Sequence, residues 1–272
     1  MLAVARRPDL PLATGLAEAA AGPVEWYGLG RRDPGEFRLI VVRGSPADGM
    51  VRGEVPRWGA GFTFPAARTI LIRADAGDPY RILRHELAHL VLADAIPVRL
   101  PLWFSEGYAA LAAGEMGRLF ALRLNLSVAR GRIPGFFALD RGLRGNEPTA
   151  ATSYALAASA VAMLARRHPQ RSLEPLLRRL ESGESFDAAV LATTGSPVER
   201  FEEEWQRDVR RRYGLFGWVV AGGVWVLASI LAIVAMWLRR RRDRPRRLAL
   251  DQDWVVEPED SPGALEEPGK TP

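Results

Sequence analysis

Short β-branched segments near the start of the chain are followed by longer segments typical of helices. Phe37–Arg43 (FRLIVVR) and Thr69–Arg73 (TILIR) are short, apolar and β-branched, which predicts two strands. Asp78-Pro79 is typical of a helix start, since aspartate caps the first turn and proline fits into it. Helices are predicted near 79–94, 103–115, 116–131, 151–167, 171–182 and 197–212. The pattern therefore predicts an α+β domain whose C-terminal part is helical.

A long uncharged segment lies near the C-terminus. The 24 residues from Leu215 to Leu238 contain no charged side chain, and a bilayer core requires about 20 such residues. Trp218 and Trp237 lie near its two ends, where aromatic belts form. A buried core helix is the alternative, but soluble helices rarely continue this long without a polar face. The segment therefore predicts a single transmembrane helix.

The charged residues are concentrated around this apolar segment. The net charge is +9 over residues 207–247 and −6 over 248–272, which leaves +2 for the first 206 residues. A nucleic-acid interface would require basic charge clustered on the folded domain, so no nucleic-acid partner is expected. We expect three parts: a domain at 1–213, a transmembrane helix at 214–238, and a basic juxtamembrane segment with a disordered acidic tail at 239–272.

The arginines on the two sides of the segment predict its orientation. Four arginines precede it within 207–212, and seven follow within nine residues of Leu238. Because positive residues stay cytoplasmic, we expect a single-pass protein of the cell membrane with its domain outside the cytoplasm and its tail inside. The N-terminus opposes this orientation, since Pro8 and Pro11 interrupt any apolar run that could serve as a signal peptide.

The sequence His85-Glu86-Leu87-Ala88-His89 carries metal-binding chemistry. Positions i and i+4 share one face of a helix, so the two imidazoles can converge on one ion. Zinc binds neutral imidazole nitrogen readily, and Glu86, one step round the helix, can reach a water on that ion. An apolar stripe would seat this helix in a core; it consists of Leu83, Leu87, Leu90 and Val91. An ordinary helix with two unrelated histidines is the alternative.

A third protein ligand is needed, and the chain contains no cysteine. Glu106 is the best candidate, because it follows His89 by 17 residues and lies in an apolar, aromatic segment that fits a second, antiparallel helix. Two histidines and a glutamate form a known catalytic zinc set with an open fourth position. A solvated helix residue is the alternative for Glu106. His168 follows two arginines at a helix end, where a role toward the helix dipole is favoured over metal binding.

The sequence resembles the gluzincin peptidases in two motifs, HELAH and the following PLWFSEGYA, and is most similar to the bacterial peptidase-MA-like group. The resemblance covers about residues 30–210. The resemblance implies a zincin-like domain with a short mixed sheet ahead of two metal-binding helices and one Zn²⁺ per chain. His85, His89 and Glu106 match the zinc ligands of that family, and Glu86 matches its general base. Some gluzincins carry an aspartate four residues after the ligand glutamate, where it supports a histidine. Ala110 occupies that position here, so another group must orient the imidazoles.

These features together predict a membrane-anchored zinc metallopeptidase that acts on peptides or proteins, with Glu86 as the base toward water. Tyr154 is the candidate oxyanion donor, by analogy with a downstream tyrosine of related zincins; a core tyrosine is the alternative. Gly59–Phe64 with Thr69–Arg73 is a candidate sheet edge for an extended peptide, or an ordinary edge. Two other functions stay open: a catalytically silent, membrane-anchored scaffold with the same fold, and a zinc hydrolase of non-peptide amides. The intact Glu86 favours the peptidase.

Overall fold

Strands dominate the chain before residue 74, and helices follow. The computed structural model describes residues 2–44, 59–131, 133–213 and 224–252, which group into two compact units, Met1–Trp218 and Val219–Pro272. The strands of the first unit are β1 (Leu2–Ala5), β2 (Val24–Trp26), β3 (Gly30–Arg32), β4 (Arg38–Val42), β5 (Gly61–Phe64) and β6 (Thr69–Arg73). Its helices are α1 (Leu10–Ala19), α2 (Pro79–Ala95), α3 (Leu102–Ala112), α4 (Arg118–Ala129), α5 (Phe136–Leu143), α6 (Glu147–Arg167), α7 (Glu174–Glu181), α8 (Phe186–Thr194) and α9 (Val198–Tyr213).

A four-stranded mixed sheet has the order β1-β4-β6-β5, and β2 and β3 form a separate hairpin. Strands β1, β4 and β6 run parallel, whereas β5 pairs antiparallel with β6. The inner strand β6 is buried from Thr69 to Ile72, which fits its three consecutive apolar residues, Ile70 to Ile72, in place of an alternating pattern. The α+β class with a mixed sheet and a mostly helical remainder is confirmed.

Helix α2 begins as predicted. Pro79 occupies the first turn, and the side chain of Asp78 accepts hydrogen bonds from the backbone N–H groups of Tyr80 at 3.1 Å and Arg81 at 3.4 Å. The predicted apolar stripe is buried, and α2 packs against β5, β6 and α3. The HELAH segment is therefore fixed between the sheet and the second predicted metal-binding helix.

Helix α3 packs most extensively against α6. A Cβ atom added to Gly107 would lie 2.5 Å from the backbone oxygen of Ala157, far closer than van der Waals contact permits. A glycine at position 107 thus lets the two helix backbones approach. Because Glu106 precedes this contact, the packing of α3 on α6 also sets the position of the predicted third ligand.

Six elements were absent from the sequence prediction: β1, β2, β3, α1, α5 and α8. They are short, and the formation of β1 and α5 depends on distant parts of the chain. Strand β1 is defined by its pairing with β4. Helix α5 begins where the backbone N–H of Phe136 donates to the side chain of Glu202 at 2.7 Å, and the Phe136 ring stacks on Trp103 with centroids 4.0 Å apart. No local pattern in the sequence indicates such contacts.

The described part of the second unit is one helix, α10 (Val224–Gln252). Its large apolar side chains between Trp225 and Leu238 are exposed. Residues 214–223, which hold the beginning of the predicted span and Trp218, lie outside the described residues, as do 253–272 of the tail. Within the described residues, α6 alone is long and apolar enough to cross a membrane, and 67% of its apolar window is buried inside the domain. Helix α6 is therefore a core helix, and the transmembrane helix at 214–238 stays a prediction.

Candidate metal centre

The three predicted ligands, His85, His89 and Glu106, lie together where α2 faces α3. One ligand atom of each side chain lies within 4.8 Å of the other two. Nε2 of each histidine is 3.4 Å from Oε2 of Glu106. This distance is long for an N–H···O hydrogen bond, but two ligands of a tetrahedral zinc, each about 2.1 Å from the ion, are themselves about 3.4 Å apart. The donor set and its spacing therefore fit a zinc ion with one open position.

Each histidine has a separate partner on its other ring nitrogen. Nδ1 of His85 is 3.1 Å from Oε1 of Glu115, and Nδ1 of His89 is 3.1 Å from Oγ of Ser105. The Glu115 carboxylate can only accept, which favours the tautomer of His85 with the proton on Nδ1, and the Ser105 hydroxyl can accept from His89 in the same way. The lone pair of each Nε2 then points toward Glu106, as a metal ligand requires.

The electrostatics of the cluster favour a cation beside Glu106. Burial acts to raise the pKa of Glu106, but His89 and His85 beside it, in their protonated forms, hold that pKa well below its ordinary value. Burial acts to lower the pKa of His85, yet its hydrogen bonds to Glu106 and Glu115 and the nearby carboxylate charges raise that pKa well above the ordinary value. A buried carboxylate needs compensating positive charge, which imidazole protons or a divalent ion can supply.

Glu86 lies on the side of α2 that faces strand β5. Oγ1 of Thr63 is 2.7 Å from Oε2 of Glu86 and 2.9 Å from its backbone oxygen, so the hydroxyl can donate to either. A Cβ atom at Gly61 would lie 2.6 Å from Oε1, so the glycine leaves room for the carboxylate. Burial raises the pKa of Glu86, although the charges of His85 and His89 oppose this. A fixed carboxylate with a raised pKa is suited to accept and return a proton.

Tyr154 of α6 reaches the same cluster. Its ring centroid is 6.1 Å from that of His85, and Glu106 is among the carboxylates that act on its hydroxyl. Burial and the surrounding carboxylates raise the pKa of Tyr154, so the phenol keeps its proton and acts as a donor. The ring is also packed against the hydrophobic core, so the core interpretation of this residue has structural support as well.

A cleft of about 1580 Å³ opens onto the cluster. Strand β5 lines it, and the lining also includes Tyr154 and the first residues of α8. In the described part of the sheet, β5 and β1 are the two edge strands and β5 is the one beside the cluster, whereas Thr69–Arg73 lies between β4 and β5. The predicted edge is therefore corrected to β5 alone, because β6 already has a strand on each side. An extended peptide in the cleft can add to β5 through backbone hydrogen bonds.

Three residues that contact the predicted site were missed by sequence reasoning: Thr63, Ser105 and Glu115. Ser105 directly precedes Glu106 in the sequence, and this adjacency could have indicated that it lies at the site. No nearby residue pattern indicates that Thr63 or Glu115 reaches α2. His168, the third histidine, caps the C-terminus of α6, where its Nδ1 accepts from the backbone N–H of Gln170 at 3.3 Å. It lies outside the cluster of the three ligands.

The HExxH helix, the glutamate on a second helix and the antiparallel edge strand together suggest a metal-dependent peptidase. Residues 47–211 match the family model of the Peptidase MA superfamily, in agreement with the geometry of the site. The chain belongs to this family. Membership of this family implies peptide substrates. Residues 47–58 of the matched region lie outside the described residues. A search among curated proteins found no match.

We expect the full-length protein to bind about one zinc ion per chain and to lose it on His89→Ala, because two ligands hold zinc far less tightly than three. Elemental analysis after dialysis measures this. His168→Ala is the matched control, since it removes the histidine outside the cluster and should leave the zinc content unchanged. Stoichiometric zinc in the His89→Ala protein would show that the ion is held elsewhere.

Proposed function

We propose that the protein is a membrane-anchored zinc metallopeptidase that hydrolyses peptide bonds. The observation that carries the proposal is the convergence of His85 Nε2, His89 Nε2 and Glu106 Oε2, with Glu86 fixed beside them. Membership of the Peptidase MA superfamily supports a peptide substrate. Two imidazoles and a carboxylate, in a chain without cysteine, favour zinc over metals that prefer thiolate or all-oxygen sites.

Zinc at this site would make a water nucleophilic at neutral pH and polarise the scissile carbonyl. Two residues of the protein then act on the substrate and the attacking water. Glu86, held by Thr63 at 2.7 Å, accepts a proton from the attacking water and delivers it to the leaving amine. Tyr154, protonated and close to Glu106, donates a hydrogen bond to the carbonyl oxygen as negative charge develops on it.

The decisive experiment is Glu86→Gln, which keeps the shape of the side chain and removes the base. Zinc should stay bound, while kcat for peptide hydrolysis falls by about two to four orders of magnitude, the usual contribution of a general base. Zinc content and peptide cleavage are measured on the same preparation. Equal hydrolysis by the variant would exclude Glu86 as the base. A wild-type protein that binds zinc but cleaves no member of a peptide library would support the silent scaffold.

Tyr154→Phe separates the two interpretations of that tyrosine. If the Tyr154 hydroxyl is an oxyanion donor, its removal should lower kcat by about 10²–10³-fold with little change in KM. If Tyr154 serves only the core, phenylalanine fills the same volume and kcat should match that of the wild type. Thermal unfolding of both proteins provides the control, since the hydrophobic packing of the ring is kept in the variant.

The membrane anchor and its orientation are part of the proposal. The uncharged segment at Leu215–Leu238 has the length of a bilayer span, and its described portion carries exposed apolar side chains. Seven arginines follow the segment, against four before it. Because positive residues stay cytoplasmic, the peptidase domain is placed outside the cytoplasm and the acidic tail inside.

Protease added to intact spheroplasts tests this orientation. Residues 1–213 should be digested while an epitope at the C-terminus stays protected, and both should be digested once the spheroplasts are lysed. Immunoblots against tags at the two ends provide the measurement. A protected domain with a digested tail would reverse the proposed orientation, and recovery of the chain in the soluble fraction would contradict the anchor itself.

A further inference from the structure

A carboxylate outside the three ligands contacts His85. Oε1 of Glu115 is 3.1 Å from Nδ1 of that histidine, and the Glu115 side chain is one-third exposed. Ala110, four residues after Glu106, has no side-chain acceptor to offer. We propose that Glu115 is the positioning residue of the metal centre, which orients His85 and strengthens it as a ligand. This inference rests on the proposed function and adds to it the group that supports the first histidine.

The end of α3 brings Glu115 to this place. After Ala112 the chain turns through Gly114, whose φ of +69° lies in the left-handed region that favours glycine. The backbone N–H of Glu115 donates to the oxygen of Ala110 at 3.0 Å, and that of Gly114 donates to Leu111 at 3.1 Å. These two bonds form a Schellman motif. The turn reverses the chain at the end of α3 and returns the carboxylate toward α2.

The two histidines therefore have unequal supports. A carboxylate that accepts from Nδ1–H fixes the rotation of the ring and makes its Nε2 more basic. Glu115 supplies such a charged acceptor to His85, whereas Ser105 supplies only a neutral hydroxyl to His89. Charge-assisted hydrogen bonds are about twice as strong as neutral ones. Loss of the Glu115 carboxylate should thus weaken zinc binding more than loss of the Ser105 hydroxyl.

Zinc affinity of the full-length protein, measured by competition with a chelator, tests the proposal without reference to activity. Glu115→Ala should raise the Kd for zinc by about 10–100-fold. Glu115→Gln should raise it less, because the amide oxygen still accepts from Nδ1–H but carries no charge. Ser105→Ala is the matched control on the other histidine and should have the smallest effect. The visible spectrum of the Co²⁺-substituted protein should change in Glu115→Ala, because the orientation of His85 changes.

His85→Ala distinguishes failure of this proposal from failure of the metal site. If both Glu115 variants bind zinc as tightly as the wild type and give the same Co²⁺ spectrum, while His85→Ala loses the metal, Glu115 has no positioning role and the zinc site stands. If His85→Ala also binds zinc as tightly as the wild type, the metal site itself is wrong. If Glu115→Ala fails to fold, the nearly isosteric Glu115→Gln provides the test by itself. An unchanged Kd for zinc in the Glu115→Gln protein would overturn the proposal.

Discussion

Four ionisable side chains, His85, Glu86, His89 and Glu106, lie next to one another at the cleft and are largely shielded from water, and this shielding is the constraint on which the site depends. Two carboxylates in such a place require charge compensation or hydrogen bonds. Glu106 faces both histidines, which hold its pKa low. Glu86 is hydrogen-bonded to the neutral Thr63, and burial raises its pKa. The pKa values of these neighbouring carboxylates are thus shifted in opposite directions because their partners differ, which suits Glu106 to bind a cation and Glu86 to accept a proton.

Close backbone packing makes this arrangement possible. Gly61 allows β5 to lie beside the Glu86 carboxylate, and Gly107 allows α3 to lie against Ala157 of α6. A methyl group at either position would meet atoms within 2.6 Å. Protein interiors are packed so densely that such an overlap would displace whole elements. The positions of the edge strand and of Glu106 therefore depend on two residues that have no side chain.

The groups around the ligands come from separate parts of the fold. Thr63 belongs to β5, Ser105 to α3 and Glu115 to the turn after α3, and each contacts a different residue of the HELAH segment. Such outer contacts fix tautomers and ring orientation, and the loss of one typically weakens metal binding by about 10–100-fold. The cleft beside them is bordered by the edge strand. The three candidate ligands, Glu86 and the edge strand β5 are thereby held together by packing within one domain.

The sequence by itself determined the features that depend on local periodicity and composition. The i, i+4 spacing of His85 and His89, the start of α2 at Asp78 and the strand Thr69–Arg73 follow from neighbouring residues, because a helix or strand repeats over a few positions. Glu106 was predicted on other grounds, namely the need for a third ligand and the resemblance of its segment to a family motif. Only the tertiary structure decided which polar groups orient the side chains of the site. Thr63 is 23 residues from Glu86, and Glu115 is 30 from His85. Such contacts arise when the turn after α3 and the edge strand pack against α2, and no local repeat encodes that packing.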